Sequence, residues 1–328
     1  MCRSSMPVKH IREEERRETE QESIKREEAR RFAPFCRCGL DRWGRAGSTP
    51  DSLGTLVSRV LRHASLLPTA RLVLCATLLL LFYSLAATVN DNDALKRRAS
   101  SFSKLALRLL GFRLHVHSSH SESYHTAHAR APVLVASHVS WIDVLALNAA
   151  DGAGFIAKAS ISRIPIVGSI ARAIGCAFVD RQCSGASDAV RHEVASRDPD
   201  HPLVIFPEGT TTNGKYLLPF HRGAFLAGKP VQPVSVRYSG YDSFSPSWET
   251  CSIRNHLFGI LANTRADVHV TMLPLYEPSD AECEDPGLYA ANIRTIIANA
   301  SQPPLQLSDS TYEDKREYHQ RLRSAKLA

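Results

Sequence analysis

No Cys-x-x-Cys pair occurs in the 328-residue sequence; its eight cysteines are scattered, and only Cys36 and Cys38 lie close together. That spacing excludes a spaced-cysteine zinc site and a small disulfide framework, so free thiols in a reducing compartment are expected. A Gly-x-Ser-x-Gly string is also missing, and with it the strand-to-helix elbow that exposes a serine nucleophile in a hydrolase. An acidic loop of the Asp-x-Asp-x-Asp-Gly type is missing too, so calcium regulation is not expected. The chain has no internal repeat. Finally, charge is absent from Leu72 to Val89 (LVLCATLLLLFYSLAATV).

That uncharged run is just long enough for a helix to cross bilayer hydrocarbon, and we read it as one membrane helix. A buried helix of a globular core is the competing reading. About 70 mostly polar residues precede it, which argues against a cleaved signal peptide. The net charge of +7 sits mainly in two stretches, Cys36 to Arg71 and Asp91 to Arg130, on either side of this run. Such a surplus fits a membrane surface rather than nucleic acid. Basic residues on both sides (Arg59, Arg62 and Arg71 before; Lys96, Arg97 and Arg98 after) leave the orientation undecided.

Residues 11–32 (IREEERRETEQESIKREEARRF) mix both charge signs with almost no apolar positions, and so predict disorder or a solvated helix. Residues 94–112 (ALKRRASSFSKLALRLLGF) have apolar residues at helical spacing, which fits a helix on a membrane surface or one packed on the domain. From Phe112 onward short apolar runs alternate with amphipathic stretches. This predicts an α/β fold with a largely parallel sheet flanked by helices. The expected strands are Phe112 to His117, Val133 to Ser137, Gly154 to Lys158, Cys176 to Asp180, Leu203 to Phe206, Val231 to Arg237 and Val268 to Leu275. The expected helices are Ser140 to Ala149, Ile161 to Ile174, Ser184 to Ser196, Phe220 to Ala227 and Pro286 to Ala300.

Two constellations could carry chemistry. The first is His138-Val-Ser-Trp-Ile-Asp143, where a strand gives way to a helix. Five residues apart on a continuous helix, the two side chains would point about 140° apart, so the pair needs a turn. Ser140 as N-cap with Asp143 at N3 supplies one. A carboxylate on one imidazole nitrogen fixes the tautomer and leaves the other nitrogen free to take a proton, which makes a general base for a hydroxyl. Asp143 could equally cap its helix and do nothing more. The second is Phe206-Pro207-Glu208-Gly209-Thr210, which places a carboxylate and backbone amides at the carboxyl end of a strand, where α/β sheets bind ligands.

HVSWID, GCAFVDR with Arg181, FPEGTTTNG and PVQPVSV with Pro233 resemble, in order and approximate spacing, the four motifs of the lysophosphatidic acid acyltransferase family of glycerophospholipid acyltransferases. The resemblance runs from about Val133 to Arg237. FPEGTTTNGKYLLPF and SHVSWIDVL look most like the lysophosphatidylcholine and lysophosphatidylethanolamine acyltransferase branch. Ser137 stands where the family often has Asn. The resemblance implies an acyl-CoA-dependent enzyme that esterifies a free hydroxyl of a lysophospholipid. By similarity His138 is the base and Asp143 its orienting partner. Arg181, a fixed cation suited to phosphate oxygens, matches the arginine associated with the acceptor's phosphate, although a surface arginine paired with Asp180 has the same sequence. Phe206, Pro207, Glu208, Gly209 and Thr210 match the motif implicated in acceptor binding, and Pro233 the motif linked to acyl-CoA or to pocket shape. Lys158 resembles a lysine preceding the second motif, and a snorkelling surface lysine would look alike.

The resemblance implies no metal and no cofactor beyond acyl-CoA as co-substrate. The oxyanion of that reaction needs donors, and backbone amides near Gly209 are the expected ones. The expected organisation is a charged, disordered region over 1–60, a transmembrane helix over 66–90, an acyltransferase domain over 95–305 and a charged tail, helical or disordered, over 306–328. A single-pass protein of the endoplasmic reticulum membrane follows. Three other readings stand beside it. One is a lysophosphatidic acid acyltransferase, and another is an inactive homologue that binds lipid at the membrane. The third is a metal-binding protein using the crowded His115, His117, His120, His125 and His128, which a flexible loop explains better.

Overall fold

Apolar runs too short for helices and too uniformly buried for one-sided strands dictate a sheet covered on both faces. In the computed structural model, which describes residues 21–36, 66–88, 92–118, 131–180, 183, 185–241, 244–248 and 253–327, seven strands form that sheet. They are β1 (Phe112–Ser118), β2 (Val133–Ala136), β3 (Gly154–Lys158), β4 (Ala177–Val179), β5 (Leu203–Ile205), β7 (Val231–Ser239) and β8 (Ala266–Met272). Their order is β1-β8-β7-β2-β5-β3-β4. Neighbours run parallel except β7 and β8, which are antiparallel. Every residue of β2 and β5 is buried. All seven expected strands are present with small shifts at their ends.

One face of the sheet packs on α3 (Asn92–Leu109) and α4 (Ile142–Asp151). Leu95, Ala99 and Leu107 of α3 join Ile142, Ala146 and Leu147 of α4 in one apolar cluster with Val234 and Val236. The apolar stripe of α3 therefore covers the domain, not a bilayer. The other face packs on α9 (Pro286–Ala300) through Tyr289, Ile293 and Ile297.

Ahead of α3, α2 (Leu66–Thr88) holds the uncharged run as far as Thr88. Leu72, Val73, Leu74, Leu80 and Leu81 are exposed, and only 11% of its most apolar window, Pro68–Leu85, is buried. A core helix would hide these residues; one that is long and apolar enough to cross a membrane need not. The helix is tied to the domain at both ends. Arg71 donates to the carbonyls of Leu261 (3.1 Å) and Asn263 at the end of α7 (Ile253–Ala262), and Phe82 stacks on Phe102 of α3.

Several expectations give way. The helix expected over Ile161 to Ile174 is a 3-10 turn (Ala159–Arg163) followed by α5 (Val167–Ala173). Pro165 lacks the N–H that a continuous helix needs and excludes its predecessor from helical dihedrals, and Ile166 takes φ 65°. The helix expected over Phe220 to Ala227 is only a 3-10 turn, Arg222–Ala224. Gly223 sits so close to Val190 of α6 (Ala186–Ser196) that a Cβ would come within 3.2 Å, and the remaining residues before Pro230 are too few to repay nucleation. Helix α7, the short α8 (Asp280–Glu284) and the pair β6 (Tyr216–Leu217) with β9 (Gln306–Leu307) were not anticipated.

The two charged ends take the helical alternative, packed rather than solvated. Residues 21–32 are helical (α1) and run into a 3-10 turn at Ala33–Phe35, while α10 spans Tyr312–Leu327. Disorder through residue 60 thus fails for 21–36; the rest of 1–60 lies outside the described residues. Phe32, Phe35, Leu218, Tyr318 and Leu322 form a separate apolar cluster. Around it Arg31 pairs with Asp314 and Glu317, and Arg321 with Glu28 and Glu317. The helical period had hidden these few apolar anchors among many charges.

Candidate active site

The turn the sequence required forms between β2 and α4. Asp143, fully buried in the first turn of α4, accepts through Oδ2 from the amides of Val139 (2.7 Å) and Ser140 (2.9 Å) and from His138 Nδ1 (2.8 Å). The helix starts one residue later than expected, after Trp141, and Ser140 Oγ accepts from the Ile142 amide at 3.4 Å. One carboxylate oxygen thus ties down the turn ahead of the helix and orients the imidazole, while the N-cap, Trp141, has no side-chain cap. With Nδ1–H donating, Nε2 is the acceptor on the ring's other side. The other carboxylate oxygen accepts from the Tyr238 hydroxyl at the end of β7. Burial, with the Asp143 charge beside it, holds that phenol well above its usual range, so it stays a donor.

The second constellation builds the floor of the site. The Phe206 ring lies flat on the His138 imidazole, with centroids 3.9 Å apart and planes 16° from parallel. Phe206 to Gly209 closes a turn, the Gly209 amide donating to the Phe206 carbonyl (3.1 Å). Gly209 takes φ 69°, and a Cβ there would stand 3.1 Å from the His221 ring, so only glycine fits without strain. Its amide is engaged in the turn, which removes it from the expected oxyanion donors. Glu208 is buried, and its oxygens accept from the amides of His138 (2.8 Å) and Leu218 (3.0 Å). The carboxylate therefore couples the His138 turn to the FPEGTTTNG loop.

Burial pushes the Glu208 carboxyl up to about 8 from 4.5, against the two amides and Arg294, which pull it down. The folded chain then holds a proton that the unfolded chain releases above about 4.5. The resulting stabilisation is complete below that pH and is lost as pH rises to about 8. In Glu208→Gln we expect this fall in melting temperature between pH 5 and 8 to disappear. One backbone N–H would face an amide NH2, lowering stability by about 1–3 kcal/mol. Melting curves across that range check both, and a parent curve that is flat there refutes the assignment.

The other residues fall at different distances from this centre. Thr210 Oγ1 accepts from Lys315 Nζ of α10 (3.1 Å), which also donates to Thr211 O (2.7 Å) and Thr211 Oγ1 (2.8 Å). Asn213 donates to the carbonyls of Ala33 (2.9 Å) and Cys36 (2.8 Å). The charged ends thus grip the loop that carries the motif. Pro207 is buried and its carbonyl accepts from the His221 amide. Pro233 is buried in β7 opposite Val135, just outside the β7–β8 ladder that begins at Val234. Its missing N–H costs no rung there, and it shapes the strand. Lys158 ends β3, two strands from β2, and is exposed. Arg181 lies outside the described residues.

Tyr238 and Lys315 escaped sequence reasoning because their partners are 95 and 104 residues away and no local spacing links them. Among the described residues no group of His, Cys, Asp or Glu could hold a metal. His115 binds Asp267 (2.9 Å) and stacks on His269; His120, His125 and His128 lie outside the described residues.

The sequence profile of the family described as Acyltransferase matches residues 115–237. The lysophospholipid acyltransferase LPEAT1 of Arabidopsis thaliana is 41% identical over 201 residues, 59% of this chain and 50% of the relative. The lysophospholipid acyltransferase LPCAT4 of Homo sapiens is 34% identical over 60% of this chain and 38% of its own length. The human lysophosphatidylcholine acyltransferase 1 is 30% identical over 79% of this chain and 50% of its own. The chain thus spans half the length or less of these relatives. In fold it is similar to the crystal structure of the 1-acyl-sn-glycerophosphate acyltransferase PlsC of Thermotoga maritima. That likeness has a TM-score of 0.52 at 18% identity, over 73% of this chain and 96% of that one. His138, Asp143, the Phe206–Thr210 turn and Pro233 all fall inside the stretch, residues 115–237, that matches the acyltransferase family.

Proposed function

We propose that the chain transfers a fatty acyl group from acyl-CoA to a free hydroxyl of a lysophospholipid of the phosphatidylcholine or phosphatidylethanolamine type. The observation that carries the mechanism is His138 held by Asp143 on a buried carboxylate at the carboxyl end of β2. Nε2 takes the proton of the acceptor hydroxyl as its oxygen attacks the thioester carbonyl. The tetrahedral intermediate collapses, the C–S bond breaks, and the proton passes from the imidazolium to the departing thiolate. Asp143 stabilises the imidazolium between these steps. No covalent enzyme intermediate is needed. The names of the curated relatives support the acceptor class, and the resemblance of the motifs supports acyl-CoA as donor.

The same resemblance supports substrate-binding roles for Arg181, Thr210, Pro233 and Lys158. Glu208 and Phe206 act in this reading as positioning residues, since their contacts are with His138 itself. The deciding experiment follows acyl-CoA consumption against a panel of lysophospholipids with lysophosphatidate and glycerol 3-phosphate included. Turnover restricted to lysophosphatidate makes the chain a lysophosphatidic acid acyltransferase. No turnover with any acceptor leaves a lipid-binding homologue.

Both substrates are amphiphiles, and α2 would deliver the site to them as a single membrane pass of the endoplasmic reticulum. We expect the chain to sediment with membranes and to resist high salt and carbonate, because exposed apolar area rather than charge holds it. Release by salt alone would make the attachment electrostatic.

A further inference from the structure

Close to the catalytic pair in sequence and hydrogen bonding lies a cavity of about 100 Å³, the share of roughly three waters. Val139, next to His138, and Tyr238, which donates to Asp143, are in its wall. Its polar lining is Arg237, Lys215, Asn213, Tyr241, Ser245 and Ser247, two cations with no carboxylate among the described residues. Arg237 is half-buried at the end of β7 and donates to the Gly214 carbonyl. That uses one of five guanidinium donors. No salt bridge to it forms among the described residues. Burial lowers its pKa, and the neighbouring Tyr241 raises it. A half-buried cation bonded to a neutral carbonyl still has its charge to offer to an anion.

We propose that Arg237, with Lys215, forms an anion subsite that takes a phosphate group of a substrate beside His138. This rests on the acyl-transfer reading above. Two phosphates are available to it: the acceptor's phosphodiester, a few bonds from the reacting hydroxyl, and those of CoA. The planar, paired donors of Arg237 suit either. In its absence from substrate, Arg237 holds the Gly214 turn, and that contact alone is the purely structural alternative.

Steady-state kinetics of Arg237→Gln in two arms separate these cases. One arm varies lysophospholipid at saturating acyl-CoA; the other varies acyl-CoA at saturating lysophospholipid. Loss of a charge-assisted hydrogen bond predicts a KM raised roughly 10- to 100-fold in one arm, with partial recovery in Arg237→Lys. A rise in the first arm assigns the acceptor's phosphate, and in the second that of CoA. Unchanged KM in both arms, or a fall in kcat alone, overturns the subsite. If Arg237→Gln fails to fold, the exposed Lys215→Gln is read in the same two arms by the same criteria. Binding without turnover keeps the failure of the acyl-transfer reading distinct. Phosphorus NMR line broadening of inorganic phosphate and of glycerophosphocholine by the parent should be lost in Arg237→Gln, and equal broadening by both chains overturns the proposal.

Discussion

His138→Ala is expected to lower acyl transfer by about three orders of magnitude while the chain still folds and sediments with membranes. The ring is partly exposed, and its contacts with protein are Asp143 and the face of Phe206. Removing it therefore leaves a modest packing defect. What is lost is the proton acceptor, whose contribution in such reactions is on the order of 10²- to 10⁴-fold. The measurement is kcat at saturating acceptor and acyl-CoA, beside a melting curve. Residual turnover above a tenth of the parent would remove His138 from general-base catalysis.

Asp143→Asn should cost nearly as much in kcat and more in stability. The carboxylate takes three N–H donors on one oxygen and the Tyr238 hydroxyl on the other. An amide offers one acceptor oxygen, so its NH2 must face either the three N–H groups or the phenol. Reversing that match loses the imidazole tautomer, with a fall in kcat on the order of 10²- to 10⁴-fold, and about 1–3 kcal/mol of stability through unsatisfied donors. If Asp143 served only as a helix cap, Asn would replace it at small cost, since the two are nearly equal at that task. Parent-like kcat in Asp143→Asn would establish that lesser role.

The seven strands were legible because each is a short apolar run between turn residues, and the His138–Asp143 pair because strand, turn and cap follow each other within six residues. The Phe206–Thr210 motif was legible as a string but not as a contact. Its identity pointed toward bound acceptor, yet Glu208 faces two backbone amides and Phe206 the imidazole. Those partners are set by where β2 and β5 lie side by side in the sheet, which local spacing does not state. At the ends helices were among the expected readings, but their packing was not legible. Composition averages over a helix, and Phe32, Phe35, Tyr318 and Leu322 are too few to shift it. They hold because salt bridges between α1 and α10 surround them.

Lys315 lies 104 residues beyond the Thr211 it supports. At ~5–20 residues per second of translation, roughly 5–20 s separate the two on the ribosome. Five strands of the seven-stranded sheet precede Thr211, β7 and β8 emerge during that interval, and α2 has long preceded them. The nascent chain can thus bring together His138, Asp143 and Glu208 before the threonine loop has its lysine. The last step in making the site is then the docking of a highly charged helix on two phenylalanines from the opposite end of the chain. Protection of the loop against proteases would report that step during synthesis, arriving later than protection of the sheet.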